Sequence, residues 1–274
     1  MKRVARALKS QGRTIGFVPT MGFLHQGHLS LVRESRKSAD STVVSIFVNP
    51  LQFGPKEDLK EYPRDIRRDS LLLEKEGVDY LFYPNSRDMY PEGYKTYVTV
   101  YDLEDKLCGR SRPGHFKGVS TVVLKLFNIV NPDLAFFGQK DAQQAIILKR
   151  MVKDLNLGVK IEVLPIIRDE DGLALSSRNI YLNSEERKAA RVLLRSLKDA
   201  EILVKKGEKK SASLIERMRE MIEAEPLAKI DYIEIVDLDE LAPIKEIKKE
   251  ALIALAVFIG KTRLIDNAII KTKR

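Results

Sequence analysis

Residues 15–28, Ile-Gly-Phe-Val-Pro-Thr-Met-Gly-Phe-Leu-His-Gln-Gly-His, constrain the fold more than any other stretch of this chain. An apolar run from Ile15 to Val18 breaks at Pro19, passes Gly22 and Gly27, and reaches two histidines three positions apart. Leu29, Leu31 and Val32 then resume at helix-like spacing. This predicts a buried strand that turns through glycine into a helix N-terminus, an arrangement that collects phosphates. There the first free backbone N–H groups and the helix dipole both favour negative charge. Gly27 leaves room for a ligand to lie against the backbone. His25 and His28, about one helical turn apart, point the same way and offer imidazoles to a phosphate oxygen. Two other readings stay open. A metal pair would need carboxylates to complete it, since the chain has three histidines and one cysteine. The pair could also be surface histidines beside a helix cap.

The chain downstream continues the alternation. Residues 42–48 are a nearly continuous apolar, β-branched run, the mark of a strand covered on both faces, and end in a loop of turn formers, Asn49-Pro-Leu-Gln-Phe-Gly-Pro55. Helices are predicted over 1–11, 65–77, 116–130 and 141–155, and strands over 78–83, 134–137 and 160–167. Strands alternating with helices predict a parallel sheet, with the ligand crevice at the strands' carboxyl ends. Residues 84–115, rich in proline and glycine, read as a functional loop or lid. Beyond Arg168 the character changes. A polar segment leads to helices over 184–206, with Ser184 as N-cap, and 211–223. Strands follow near 232–236, 251–258 and 263–270, the last pair joined through Gly260 and Lys261. The expected boundaries are 1–170 for a nucleotide- and substrate-binding Rossmann-like domain and 171–274 for a smaller α+β domain covering the active site.

Composition narrows the partners. The formal charge of +9 is dispersed, 28 Lys and Arg against 22 Asp and Glu over residues 1–179, and 20 against 17 over 180–274. That balance suits a small anionic substrate at least as well as nucleic acid, and no basic tail points to a nucleic-acid partner. No apolar run approaches the ~20 residues of a membrane span. Met1-Lys-Arg-Val is followed by Ala-Arg-Ala-Leu-Lys, which argues against a secretory signal. The single cysteine, Cys108, excludes an internal disulfide and fits a reducing cytoplasm. All six glutamines fall at or before Gln144 and all three histidines before residue 116, which places the site in the first part of the chain.

Three further stretches carry chemistry. Gly138-Gln139-Lys140-Asp141 sits where a strand becomes a helix; Lys140 is a mobile charge suited to phosphate, or a solvated lysine beside an N-cap Asp141. Gln143 and Gln144 are first-turn caps or, with Gln52, neutral amides that bind a carboxylate without locking it into an ion pair. Leu175-Ser176-Ser177-Arg178 adds two hydroxyls and a guanidinium. Arg110-Ser-Arg-Pro-Gly-His115 reads as an anion loop or as a solvated basic turn.

Five stretches, in order, resemble the successive motifs of the pantothenate synthetase (pantoate–β-alanine ligase) family: Pro19-Thr-Met-Gly-Phe-Leu-His-Gln-Gly-His28, Phe47-Val-Asn-Pro-Leu-Gln-Phe-Gly54, Arg112-Pro-Gly-His-Phe-Lys-Gly-Val119, Phe137-Gly-Gln-Lys-Asp-Ala-Gln-Gln144 and Asp171-Gly-Leu-Ala-Leu-Ser-Ser-Arg-Asn179. They span most of residues 14–180; the remainder resembles the family's C-terminal domain in length and order only. Phe23 and Gln26 fill variable positions. The resemblance implies a nucleotidyltransferase-like Rossmann domain and ATP-driven amide formation between (R)-pantoate and β-alanine. Pantoate attacks the α-phosphate, giving pantoyl adenylate and pyrophosphate; the amine of β-alanine then displaces AMP. It implies that Gln52 and Gln144 hold pantoate, and Gln52 also β-alanine. Met21, Gly22, His25, Gly27, His28, Gly138, Gln139, Lys140, Asp141, Ile167, Leu175, Ser176, Ser177 and Arg178 hold ATP. His28 is the implied catalytic acid, with His25, Lys140 and Arg178 screening the charge; Mg²⁺ accompanies the triphosphate, and the assembly is a cytoplasmic homodimer. The absence of an obvious covalent nucleophile fits an adenylate mechanism. Two other readings are a nucleotidyltransferase whose adenylate is the product, and a non-catalytic nucleic-acid-binding protein.

Overall fold

Five parallel strands in the order β3-β2-β1-β4-β5 form the first sheet of the computed structural model, which describes residues 1–55 and 57–272. They are β1 (Ile15–Thr20), β2 (Ser41–Ile46), β3 (Tyr80–Phe82), β4 (Leu134–Gly138) and β5 (Lys160–Leu164). The chain divides into two compact units: residues 1–105, 112–139 and 144–167, and residues 106–111, 140–143 and from 168 onward.

In the first unit, Phe17 of β1 lies opposite Val43 of β2 on one side and Ala135 of β4 on the other. All six residues of β2 are buried, as expected of a strand covered on both faces. The helices are α1 (Lys2–Ser10), α2 (Gln26–Ser38), α3 (Ile66–Lys75), a single turn α4 (Ser86–Met89), α6 (His115–Val130) and α7 (Ala142–Asp154); α5 (Cys108–Ser111) is a single turn in the second unit. Val18, Val44, Ile46 and Phe136 from the strands pack with Leu24, Leu31, Val32 and Leu73 from the first turn and the flanking helices. Because the strand order reverses at β1, the carboxyl ends of β1, β2 and β4 border the crevice where such sheets bind ligands.

Several predicted boundaries move. β5 ends at Leu164 rather than residue 167 because Pro165 has no N–H for the ladder. β2 ends at Ile46, before the Asn49-Pro50 turn. α7 starts at Ala142, after a 3-10 turn over Gln139–Asp141. The segment 84–115, read as irregular, carries α4 and α5.

The second unit holds an antiparallel meander of β6 (Ala228–Val236), β7 (Glu250–Ile259) and β8 (Thr262–Lys271). Its helices are α8 (Ser184–Ala190), α9 (Val192–Lys205) and α10 (Ser211–Glu223). Leu193, Leu197, Leu214, Met218 and Ile222 pack on Ile253 and Leu255 of the central strand. The helix predicted over 184–206 divides at Arg191 into α8 and α9. Its cap is Asn183, not Ser184: Asn183 Oδ1 accepts the N–H groups of Glu185 and Glu186 at 3.0 and 2.9 Å, and Glu186 returns a carboxylate to the Asn183 N–H at 3.0 Å. No helix among the described residues is long and apolar enough to cross a membrane.

Candidate active site

The turn after β1 is built to a fixed shape. Gly22 has φ +86°, and a Cβ there would lie 2.9 Å from Ile46 and 3.1 Å from the Asp69 carboxylate, so glycine is required. Asp69, on α3 and 1 % exposed, accepts the N–H of Phe23 at 2.6 Å and of Leu24 at 2.8 Å. Phe23 is thereby held at φ 50°. Arg68 pairs with Asp69 at 3.3 Å, donates to the Leu24 carbonyl at 2.9 Å and covers the Phe23 ring. Burial pushes the Asp69 carboxyl above the usual carboxylate range, against the pull of Leu24, Phe23 and Arg68.

The turn delivers the two histidines as a reciprocal cap of α2. His25 Nδ1 accepts the Gly27 N–H at 3.1 Å, and His28 Nδ1 accepts the His25 N–H at 3.3 Å, with ring centroids 4.0 Å apart. The capping and anion readings of the sequence are therefore compatible. With both Nδ1 atoms accepting, the proton of each neutral imidazole resides on Nε2, and each ring can donate to an anion over the helix N-terminus. Among the described residues no group of three His, Cys, Asp or Glu is placed to hold a metal ion.

Gln52 lies in a 3-10 turn after β2, Pro50–Gln52, against α6. Its carbonyl accepts from His115 Nδ1 at 2.7 Å and Arg112 Nη2 at 3.3 Å, and Arg112 is held by the Glu57 carboxylate at 2.9 Å. Its side-chain Nε2 lies 3.0 Å from Met21 Sδ, so the Gln52 amide adjoins the β1 turn. A cleft of about 400 Å³ opens at the carboxyl ends of β1, β2 and β3, lined by Met21, Gly22, Phe47, Pro50, Arg64 and Asp69 among others. Gly138 ends β4, Gln139 begins the next turn, Gln144 is half-buried on α7, and Ile167 is 37 % exposed after β5.

The second unit carries the remaining candidates. Lys140 lies 3.5 Å from Asp141, and its carbonyl accepts from Asn267 Nδ2 of β8 at 2.9 Å. Asn267 in turn donates its N–H to Asp266, which binds Arg168 at 2.6 and 2.9 Å. Ser176 caps the 3-10 turn Ser177–Tyr181 by accepting the Arg178 N–H at 3.3 Å, Leu175 precedes it, and the turn packs on β8. One strand thus braces both Lys140 and the Ser177–Arg178 turn.

Two readings that the sequence left open are met by specific contacts. Gln143 is structural: its Oε1 accepts the Cys108 N–H at 3.0 Å and its Nε2 donates to the Lys106 carbonyl at 2.7 Å. The arginines of the proposed anion loop are engaged by carboxylates, Arg110 by Glu234 and Arg112 by Glu57. Conversely, Asn49 was read only as a turn former, and Asp69, Arg168 and the Asp266-Asn267 pair escaped the sequence reading. Only the last had a signal, two polar residues inside the apolar run of β8.

Comparison with known proteins gives consistent matches. A family model described as pantoate–β-alanine ligase matches residues 1–269. The pantothenate synthetase of Caldicellulosiruptor saccharolyticus is 59 % identical over 271 residues, 99 % of this chain and 96 % of that one. A crystal structure of pantothenate synthetase from Thermus thermophilus superposes with TM-score 0.92 at 45 % identity, covering 96 % of each chain. A pantoate–β-alanine ligase from Francisella tularensis, complexed with β-γ ATP and β-alanine, superposes with TM-score 0.78 at 36 % identity, covering 98 % of this chain and 95 % of that one.

Proposed function

Because this chain belongs to the pantoate–β-alanine ligase family, we propose that it condenses (R)-pantoate with β-alanine at the expense of ATP, through a pantoyl adenylate formed at the β1 turn. The observation that carries the site assignment is the contact of the Gln52 amide with Met21, beside the doubly capped N-terminus of α2. A neutral amide suited to a carboxylic acid thus stands next to donors suited to a phosphate.

ATP and pantoate are both anions, so the first step needs the phosphates screened while the acid stays nucleophilic. His25 and His28 donate from Nε2 to phosphate oxygens, with Met21, Gly22 and Gly27 supplying the close backbone. Gly138, Gln139, Lys140, Asp141, Ile167, Leu175, Ser176, Ser177 and Arg178 complete the nucleotide contacts by their match to the family motifs. Lys140 and Arg178 are the fixed cations, and His28 serves as acid toward the departing pyrophosphate. Gln52 and Gln144 hold pantoate through neutral hydrogen bonds, leaving its carboxylate free to attack the α-phosphorus; the pyrophosphate takes the bonding pair. The β-alanine amine, bound at Gln52, then attacks the acyl carbon and AMP leaves.

Magnesium arrives with the triphosphate. Hydrated Mg²⁺ takes one or two carboxylates beside substrate phosphates, and the half-exposed Asp141 fits that requirement. When bound, the ion would supply charge neutralisation at the pyrophosphate. The family resemblance supports a homodimer, and one free cysteine supports a cytoplasmic setting; sedimentation tests the first. No nucleic-acid partner enters this reading.

A single turnover with Mg-ATP and pantoate alone should yield pyrophosphate and an enzyme-bound adenylate visible by mass spectrometry. Adding β-alanine should convert it to pantothenate and AMP. AMP release that ignores β-alanine would count against the second step.

A further inference from the structure

Asn49, the cap of the Gln52 turn, is 1 % exposed, and its side chain is held between two backbone groups of unambiguous role. Oδ1 accepts the Leu51 N–H at 3.3 Å, and Nδ2 donates to the Gly118 carbonyl at 3.1 Å. A flipped amide would set donor against donor and acceptor against acceptor. That fixes everything downstream. Nδ2 also donates to Gln52 Oε1 at 3.1 Å, so Gln52 has to turn its Nε2 away, toward Met21. It also fixes the neighbour upstream: a hydroxyl 2.8 Å from Asn49 Oδ1 has to be the donor, and that hydroxyl belongs to Tyr90.

Tyr90 follows α4, in the segment whose sequence gives no helix or strand signal. Its ring packs on Phe47 and Tyr94, at centroid separations of 6.1 and 5.1 Å, and Lys125 Nζ lies 5.6 Å from its centroid. Burial pushes the phenol above its ordinary value, so the hydroxyl keeps its proton throughout the physiological range.

We propose that Tyr90 is a positioning residue: its hydrogen bond to Asn49 Oδ1 adds a third restraint to the amide that Leu51 and Gly118 orient, and so helps hold the Gln52 side chain with N–H, and not oxygen, facing the acid. This rests on the reading that Gln52 holds pantoate. The chemical consequence is direct. A donor meets the carboxylate or hydroxyl oxygens of pantoate, whereas the opposite face would set amide oxygen against carboxylate oxygen. Tyr90 thereby stiffens, beside the two backbone bonds to Asn49, the arrangement that opposes an amide flip at Gln52.

The test compares Tyr90→Phe, Gln52→Ala and the double variant, reading KM for pantoate and for ATP, kcat and the thermal midpoint. Tyr90→Phe keeps the ring and removes one buried hydrogen bond, and is expected to raise KM for pantoate about five- to tenfold. KM for ATP should be unchanged, the midpoint should fall by no more than the loss of one buried hydrogen bond costs, and the change in pantoate KM should vanish when made on Gln52→Ala. A merely structural tyrosine would shift both substrates and the midpoint together. If Gln52→Ala raises the pantoate KM but Tyr90→Phe does not, or adds its full effect in the double variant, the relay is overturned while the pantoate site stands. If Gln52→Ala leaves the pantoate KM unchanged, the underlying assignment falls, and the relay with it. Should Tyr90→Phe fail to fold, Gln52→Glu decides alone. It turns an acceptor to the acid and is expected to weaken pantoate more than Gln52→Ala; wild-type affinity would overturn the proposal.

Discussion

The proposed function gives His28 two tasks for two nitrogens. Nδ1 closes the cap of α2 and Nε2 carries the proton of the neutral ring that the proposed chemistry uses, so replacing it by alanine removes both at once. His28→Gln separates them, because glutamine at the third helical position supplies the same return bond to the cap. It is expected to keep the thermal midpoint near the wild-type value and to slow adenylate formation about a hundredfold or more, the range of a lost general acid. Near-normal single-turnover rates would remove His28 from the chemistry. At this scale the sequence displayed the chemical types and hid their partners. His25, His28, Gln52 and Lys140 stand out because glycine, proline and apolar runs frame them. Asp69, 46 residues from Phe23, and Asn49, 69 from Gly118, do not, since only the folded chain chooses such partners.

Among the elements, α6 and the Gln52 turn approach as closely as atoms permit. A Cβ at Gly118 would lie 2.2 Å from the Leu51 carbonyl oxygen and 2.7 Å from the Gln52 nitrogen, and both are backbone atoms that cannot swing aside. Gly118→Ala is therefore expected to displace the turn, raising KM for pantoate more than KM for ATP and destabilising the protein by about 1–3 kcal/mol, the usual cost of overpacking. An alanine variant with unchanged pantoate KM and thermal midpoint would show that α6 does not seat the turn. The elements themselves were legible where periodicity is strong, as in β2, α3 and α6. Ends were misplaced where a local competitor acts: Pro165 truncates β5, and Asn183 displaces Ser184 as the α8 cap by binding two N–H groups at once. The break at Arg191 has no sequence signal.

At the scale of the whole molecule, the problem this family solves is electrostatic: two anions must meet, and one must displace pyrophosphate from the other. The formal charge of +9 helps assemble them, but reaction demands that the cations fall on the phosphates and the neutral amides on the acid. The parallel sheet and the separate antiparallel one were legible from the change in strand pattern beyond Arg168. The bracing of Lys140 by Asn267 was not, because 127 residues separate them. The most direct measurement is exchange of labelled pyrophosphate into ATP with β-alanine left out. Exchange that requires pantoate is expected, because adenylate formation is then reversible on the enzyme. Exchange without pantoate, or none with it while β-alanine still drives pantothenate synthesis, would contradict a pantoyl adenylate formed before the amine attacks.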